Sequence, residues 1–107
     1  RVIEAPVSTL LADGMACRVP EAAALAIMRR EVDEIVAVSD AEVAQAMRIY
    51  FSDTHNAAEG AGAAALAAAL QQRQALAGRS LGLVLSGGNV DREVFARVLA
   101  DAPQRLT

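Results

Sequence analysis

Two short, uninterrupted apolar runs constrain this chain most: Ile35-Val36-Ala37-Val38 and Leu81-Gly82-Leu83-Val84-Leu85. A strand with one face in water alternates apolar and polar residues, whereas a continuous run with β-branched side chains suits a strand buried on both faces. Such strands need covering layers, and the flanking segments carry helical spacing. Leu25, Met28 and Val32 recur at that spacing from about Glu21 to Val32, with Pro20 leading in. Arg29 and Arg30 sit near the end of this segment, where cations favour the helix dipole. Ser39-Asp40-Ala41-Glu42 has the spacing of a capping box. It would open a helix to about Asp53, with Val43, Met47, Tyr50 and Phe51 along one face.

Thr54-His55-Asn56 breaks that helix, and Asn56 or a neighbour can cap an Ala-rich helix from about Ala58 to Ala77, which Gly78 would stop. After the second apolar run, Ser86-Gly87-Gly88-Asn89 reads as a tight turn. Asp91 to Ala100 reads as a last helix with Val94, Phe95, Val98 and Leu99 inward. The stretch through Pro20 reads as irregular. The order helix, strand, helix, helix, strand, helix predicts an α/β layer, with short parallel strands flanked by helices.

Composition narrows the function classes. The 107 residues suffice for one segment and not for two domains, and 54% hydrophobic content favours a packed core over disorder. Thirteen acidic residues against ten basic ones, with 3% aromatic content, argue against a nucleic-acid partner. Ala61 to Leu70, the longest apolar run, is too short for a bilayer, so no membrane partner is expected. The first residues, Arg1-Val2-Ile3-Glu4, lack the apolar stretch of a signal peptide. Cys17 has no second cysteine to pair with, which favours a reducing compartment and a cytoplasmic location. It reads as an inert packed thiol, and Met15, Met28 and Met47 read as core gap-fillers. His55, between two helices, reads as a capping or solvated residue, and Arg29, Arg30, Arg48 and Arg73 as solvated helix-face charges.

The Ser86-Gly87-Gly88-Asn89 turn lies where open α/β sheets place ligands, at the carboxyl end of a strand leading into a helix. Its glycines let backbone approach a flat or anionic group, and Ser86 offers a hydroxyl. An ordinary strand-to-helix turn, with Asn89 or Asp91 as N-cap, accounts for the same residues. Three stretches taken together carry more: Thr9-Leu10-Leu11-Ala12-Asp13-Gly14-Met15-Ala16, Glu59-Gly60-Ala61-Gly62-Ala63-Ala64 and Leu85-Ser86-Gly87-Gly88-Asn89-Val90-Asp91. In this order, with Val32 to Asp40 between the first two, essentially the whole chain resembles the C-terminal part of threonine/serine dehydratases. These are pyridoxal-phosphate (PLP) enzymes of the tryptophan-synthase-β fold type, and serine racemase is a close relative.

The resemblance implies that the Ser86 hydroxyl bonds the pyridine nitrogen of PLP, with Gly87 beside it. It also implies Glu59 at the edge of the cofactor site, Gly60 and Gly62 keeping that helix start thin, and Asp13 and Gly14 as wall. By itself Glu59 also reads as a first-turn acid favoured by the helix dipole, and Asp13 as a turn cap. The resemblance further implies a Schiff-base lysine, a phosphate loop and a substrate-carboxylate loop, and this chain has none of them. All ten of its basic residues are Arg. It is therefore expected to be one segment, residues 1–107, of the catalytic domain of a larger enzyme, inactive alone and packed against the rest of that chain. No catalytic residue and no metal ligand are assigned to it. The implied parent deaminates a hydroxy amino acid to a 2-oxo acid and ammonia, and is a homo-oligomer. Two alternatives are a serine racemase-type parent and a non-catalytic binding or assembly module of the same fold.

Overall fold

Ser39 opens a helix capped by side chains. In a computed structural model, which describes residues 1–101, the backbone N–H of Glu42 donates to Ser39 Oγ at 3.2 Å. The Glu42 carboxylate accepts from the Ser39 N–H at 2.7 Å, completing the capping box. Helix α2 runs Asp40–Thr54 from this box and stops at His55, whose φ of 58° lies in the left-handed region. The N–H groups of His55 and Asn56 then donate to the carbonyls of Phe51 and Tyr50, so His55 acts as a helix terminator. The Asn56 side chain donates to Thr54 and does not cap the next helix.

That next helix, α3, spans Gly60–Gln71, and turns carry the chain on to Gly78, where φ is +78°. It is shorter than the Ala58–Ala77 expectation. Beyond Gln71 the chain reads Gln72-Arg73-Gln74-Ala75-Leu76-Ala77 and is mostly exposed, so little packing holds a further α-helical turn. Helix α1 spans Ala22–Glu31 and α4 spans Arg92–Ala100, both within a residue of the expected bounds. The first twenty residues are irregular apart from one 3-10 turn, Asp13–Met15.

The core lies where α2 packs on α3 and, less extensively, on α4. Val43, Ala46, Met47, Ala58, Ala63, Ala67 and Val98 form it, and four of these seven residues are alanine. Small side chains let α2 and α3 approach closely, and Phe51 meets Phe95 of α4 edge-on at 5.6 Å. The guanidinium of Arg48 crosses from α2 to donate to the Val98 carbonyl at 3.1 Å, satisfying one of the open carbonyls at the end of α4.

The expected strands do not form: among the described residues there is no strand. Ile35–Val38 and Leu81–Leu85 share no backbone hydrogen bond. They instead border an apolar cleft of roughly 470 Å³, with Val36, Val38, Leu81 and Leu83 beside Ala64, Ala65, Ala68 and Ala69 of α3. An extended segment becomes a strand only through a ladder partner, and the Ala37 carbonyl is taken by the Gln71 side chain at 2.9 Å. The outer face of each run stands open, with Ile35 78% and Val84 75% exposed.

Other expectations of burial also fail. No residue of α1 is buried, and Met28 and Val32 are exposed. Met47 fills the core, but Met15 is exposed; Cys17 is exposed as well, its thiol donating to the Val19 carbonyl at 3.0 Å. The molecule is a slab of 41 × 36 × 20 Å with a radius of gyration of 14.8 Å. A compact chain of this length would have about 13 Å. No helix among the described residues is long and apolar enough to cross a membrane.

Candidate cofactor site

Helix α3 begins where three segments meet, and glycine makes the meeting possible. A Cβ on Gly60 would collide with the Leu11 carbonyl, and one on Gly62 would collide with the Gly87 carbonyl. A Cβ on Gly88 would strike the Ala57 carbonyl. Backbone from the Leu11–Ala12 stretch and from the turn after Leu85 therefore lies directly against the first turn of α3. The N–H of Glu59, the N-cap of α3, donates to the Gly87 carbonyl at 3.1 Å.

Glu59 does not cap its own helix with its side chain. Its carboxylate lies over Gly87, close enough that a Cβ there would collide with Oε1, and Oε2 lies 3.6 Å from the position of a Gly14 Cβ. Gly14, Glu59 and Gly87, assigned from three separate stretches of sequence, are thus brought together. Ser86, next to Gly87, is solvent-exposed. Asp13, Glu59, Asn89 and Asp91 are among the residues lining a polar recess of about 210 Å³. No group of three or more His, Cys, Asp or Glu among the described residues is placed to hold a metal ion.

The loop carrying Asp13 and Gly14 is held from a distance. The Asp40 carboxylate, at the start of α2, accepts the Thr9 hydroxyl and, at 2.8 Å, the Leu10 N–H. Thr9 Oγ1 in turn accepts the N–H groups of Ala12 at 2.9 Å and Leu11 at 3.2 Å. The Thr9 hydroxyl first, and then the Leu10 N–H, hold the Asp40 carboxyl below its ordinary range, outweighing a small desolvation effect in the other direction. Glu42 is lowered in the same way, mainly by the Ser39 N–H. Sequence reasoning missed Thr9 and Asp40 as partners. Thr9 carries a signal, a hydroxyl two and three residues before unpaired N–H groups, but nothing local points to an acceptor 31 residues away.

A helical layer thus carries backbone from two loops on one glycine-thinned helix start, and the chain contains no lysine. The sequence pattern of the family described as "Pyridoxal-phosphate dependent enzyme" matches residues 1–87, and the chain belongs to that family. It is 39% identical over 100 residues to an L-threonine ammonia-lyase of Geobacter sulfurreducens, covering 92% of this chain and 25% of that protein. It is 37% identical over 73 residues to an L-threo-3-hydroxyaspartate ammonia-lyase of a Pseudomonas species, covering 68% of this chain and 23% of the relative. A serine racemase of Schizosaccharomyces pombe is 34% identical over 74 residues, 69% of this chain and 23% of that one. The chain thus spans about a quarter of the length of these relatives.

Proposed function

We propose that this chain is the C-terminal part of the catalytic domain of a larger PLP enzyme that deaminates a hydroxy amino acid, threonine or serine, to a 2-oxo acid and ammonia. The observation that carries the reading is the junction of Gly14, Glu59 and Gly87 beside Ser86. The segment reading is supported by the open outer faces of Ile35 and Val84 and by the thin, expanded shape. It is also supported by the absence of lysine, which leaves no ε-amine to bond the aldehyde carbon of the cofactor. The remainder of the polypeptide is the first partner of this surface.

The donor set fits the ring edge of PLP. Ser86 offers an exposed neutral hydroxyl for the ring nitrogen, and Gly87 lets backbone lie close beside it. When bound, PLP supplies an electron-accepting ring that stabilises negative charge at the substrate α-carbon. A hydroxyl, with a pKa far above that of pyridine, donates a hydrogen bond without surrendering its proton, so Ser86 leaves the nitrogen uncharged. Glu59 keeps its carboxylate off its own helix and against Gly87 and Gly14, where it bounds the site. Gly60 and Gly62 admit the two loops that close the wall around it. We read the parent as a homo-oligomer of amino-acid metabolism, and the unpaired Cys17 supports a cytoplasmic location for it.

The test is Ser86→Ala in the full-length parent, assayed for release of 2-oxo acid from threonine and serine and for PLP affinity. Both should fall. Unchanged kcat and unchanged cofactor affinity would remove Ser86 from the site. Racemisation is the second reading, favoured by the likeness to a serine racemase, and formation of D-serine in the same assay would select it.

A further inference from the structure

We propose that Asp40 is a positioning residue that sets where Gly14 stands against Glu59, acting through Thr9. Asp40 is the first residue of α2, and that helix is anchored in the core by Val43 and Met47. One carboxylate oxygen accepts the Thr9 hydroxyl and the other the Leu10 N–H, while Thr9 Oγ1 collects the N–H groups of Leu11 and Ala12. Four consecutive residues are thereby tied to one fixed helix end. The Leu11 carbonyl presses on Gly60, and Ala12 is buried. The turn that follows directly, Asp13–Met15, sets Gly14 so that a Cβ added there would stand 3.6 Å from Glu59 Oε2. Without the carboxylate, the Thr9–Ala12 backbone is free to lift from Gly60 and carry Gly14 away. The effect on turnover rests on the proposed function; the latch itself does not.

The experiment uses the full-length parent with Asp40→Asn, Thr9→Val, their combination, and Thr9→Ser. An amide offers one acceptor where the carboxylate offers two, so Asp40→Asn cannot take both bonds. Amide hydrogen exchange at Leu10 and Ala12 should quicken in Asp40→Asn and Thr9→Val and stay at the wild-type rate in Thr9→Ser. Well below the melting temperature, kcat/KM and PLP affinity should each drop, kcat/KM by roughly tenfold, the order expected for a displaced site wall. The double variant should lose less than the sum of the two single losses, because both break the Thr9–Asp40 bond. Faster exchange with unchanged kcat/KM and PLP affinity would overturn the proposal, leaving Asp40 a purely structural tie. Unchanged exchange would also overturn it. A wild-type parent that forms no 2-oxo acid refutes the proposed function instead, and exchange together with PLP affinity then still decides the role of Asp40.

Discussion

The N–H of Glu59 donates to the carbonyl of Gly87, joining the start of α3 to the turn after the second apolar run. That bond satisfies an amide at a helix start, where no intrahelical acceptor exists. The Glu59 side chain makes no capping bond to its own helix and instead faces Gly87 and Gly14.

Gly87→Ala should separate function from stability. The added methyl group meets the tip of the Glu59 side chain, which can rotate away, so unfolding free energy should change by only about 0.5 kcal/mol. The carboxylate leaves its place in doing so, and PLP affinity of the full-length parent should weaken. Fluorescence titration of the cofactor beside a urea melt measures both. A large loss of stability with unaltered PLP affinity would contradict the role given to Glu59.

Gly60→Ala should behave in the opposite way. Its methyl group meets the Leu11 carbonyl, which is backbone and held by the Thr9–Asp40 tie. Alanine gains about 1 kcal/mol of helix propensity, but overpacking costs about 1–3 kcal/mol and should win. Denaturant unfolding should show a net loss of about 1 kcal/mol, and a stabilised variant would mean that the loop does not press on α3.

Ser39→Ala removes the acceptor for the Glu42 N–H and half of the capping box. The expected loss is about 1 kcal/mol, with Ser39→Thr close to wild type. Helix content by circular dichroism during urea unfolding reads this directly. Equal stability of the alanine variant would show that core packing alone sets the start of α2.

Acid should erase the contribution of Asp40. Its carboxyl titrates lower in the folded protein than in the unfolded chain, chiefly because of the Thr9 hydroxyl. The stabilisation is therefore fully present above the unfolded value near pH 4 and is lost as pH falls through the folded one. The Tm difference between the full-length parent and Asp40→Asn should be constant from pH 6 to 8 and narrow as acidity passes below roughly pH 4. A difference that widens in acid would reverse the assigned direction.

Local patterns carried the helices. The capping box at Ser39, the α2 stop near Thr54 and the bounds of α1 and α4 were readable because each depends on side chains and backbone a few residues apart. The expectation of a helix to Ala77 exceeds the observed end at Gln71, because propensity says where a helix is allowed and not where packing ends. His55 terminates α2, as its place between two helices suggests. Gly14, Glu59 and Gly87 were assigned by resemblance, and they do meet in space.

The sequence by itself determined the helix starts and stops and the chemical inventory: a hydroxyl, a carboxylate and glycines in three motifs, with no lysine. Only tertiary structure decided that the apolar runs find no ladder, that Met15, Met28 and α1 stay uncovered, and that Asp40 holds Thr9. The reason is the range of the forces. Caps and helical periodicity act within one or two turns, whereas a ladder, a buried face or a bond across 31 residues exists only once separate segments share the same space.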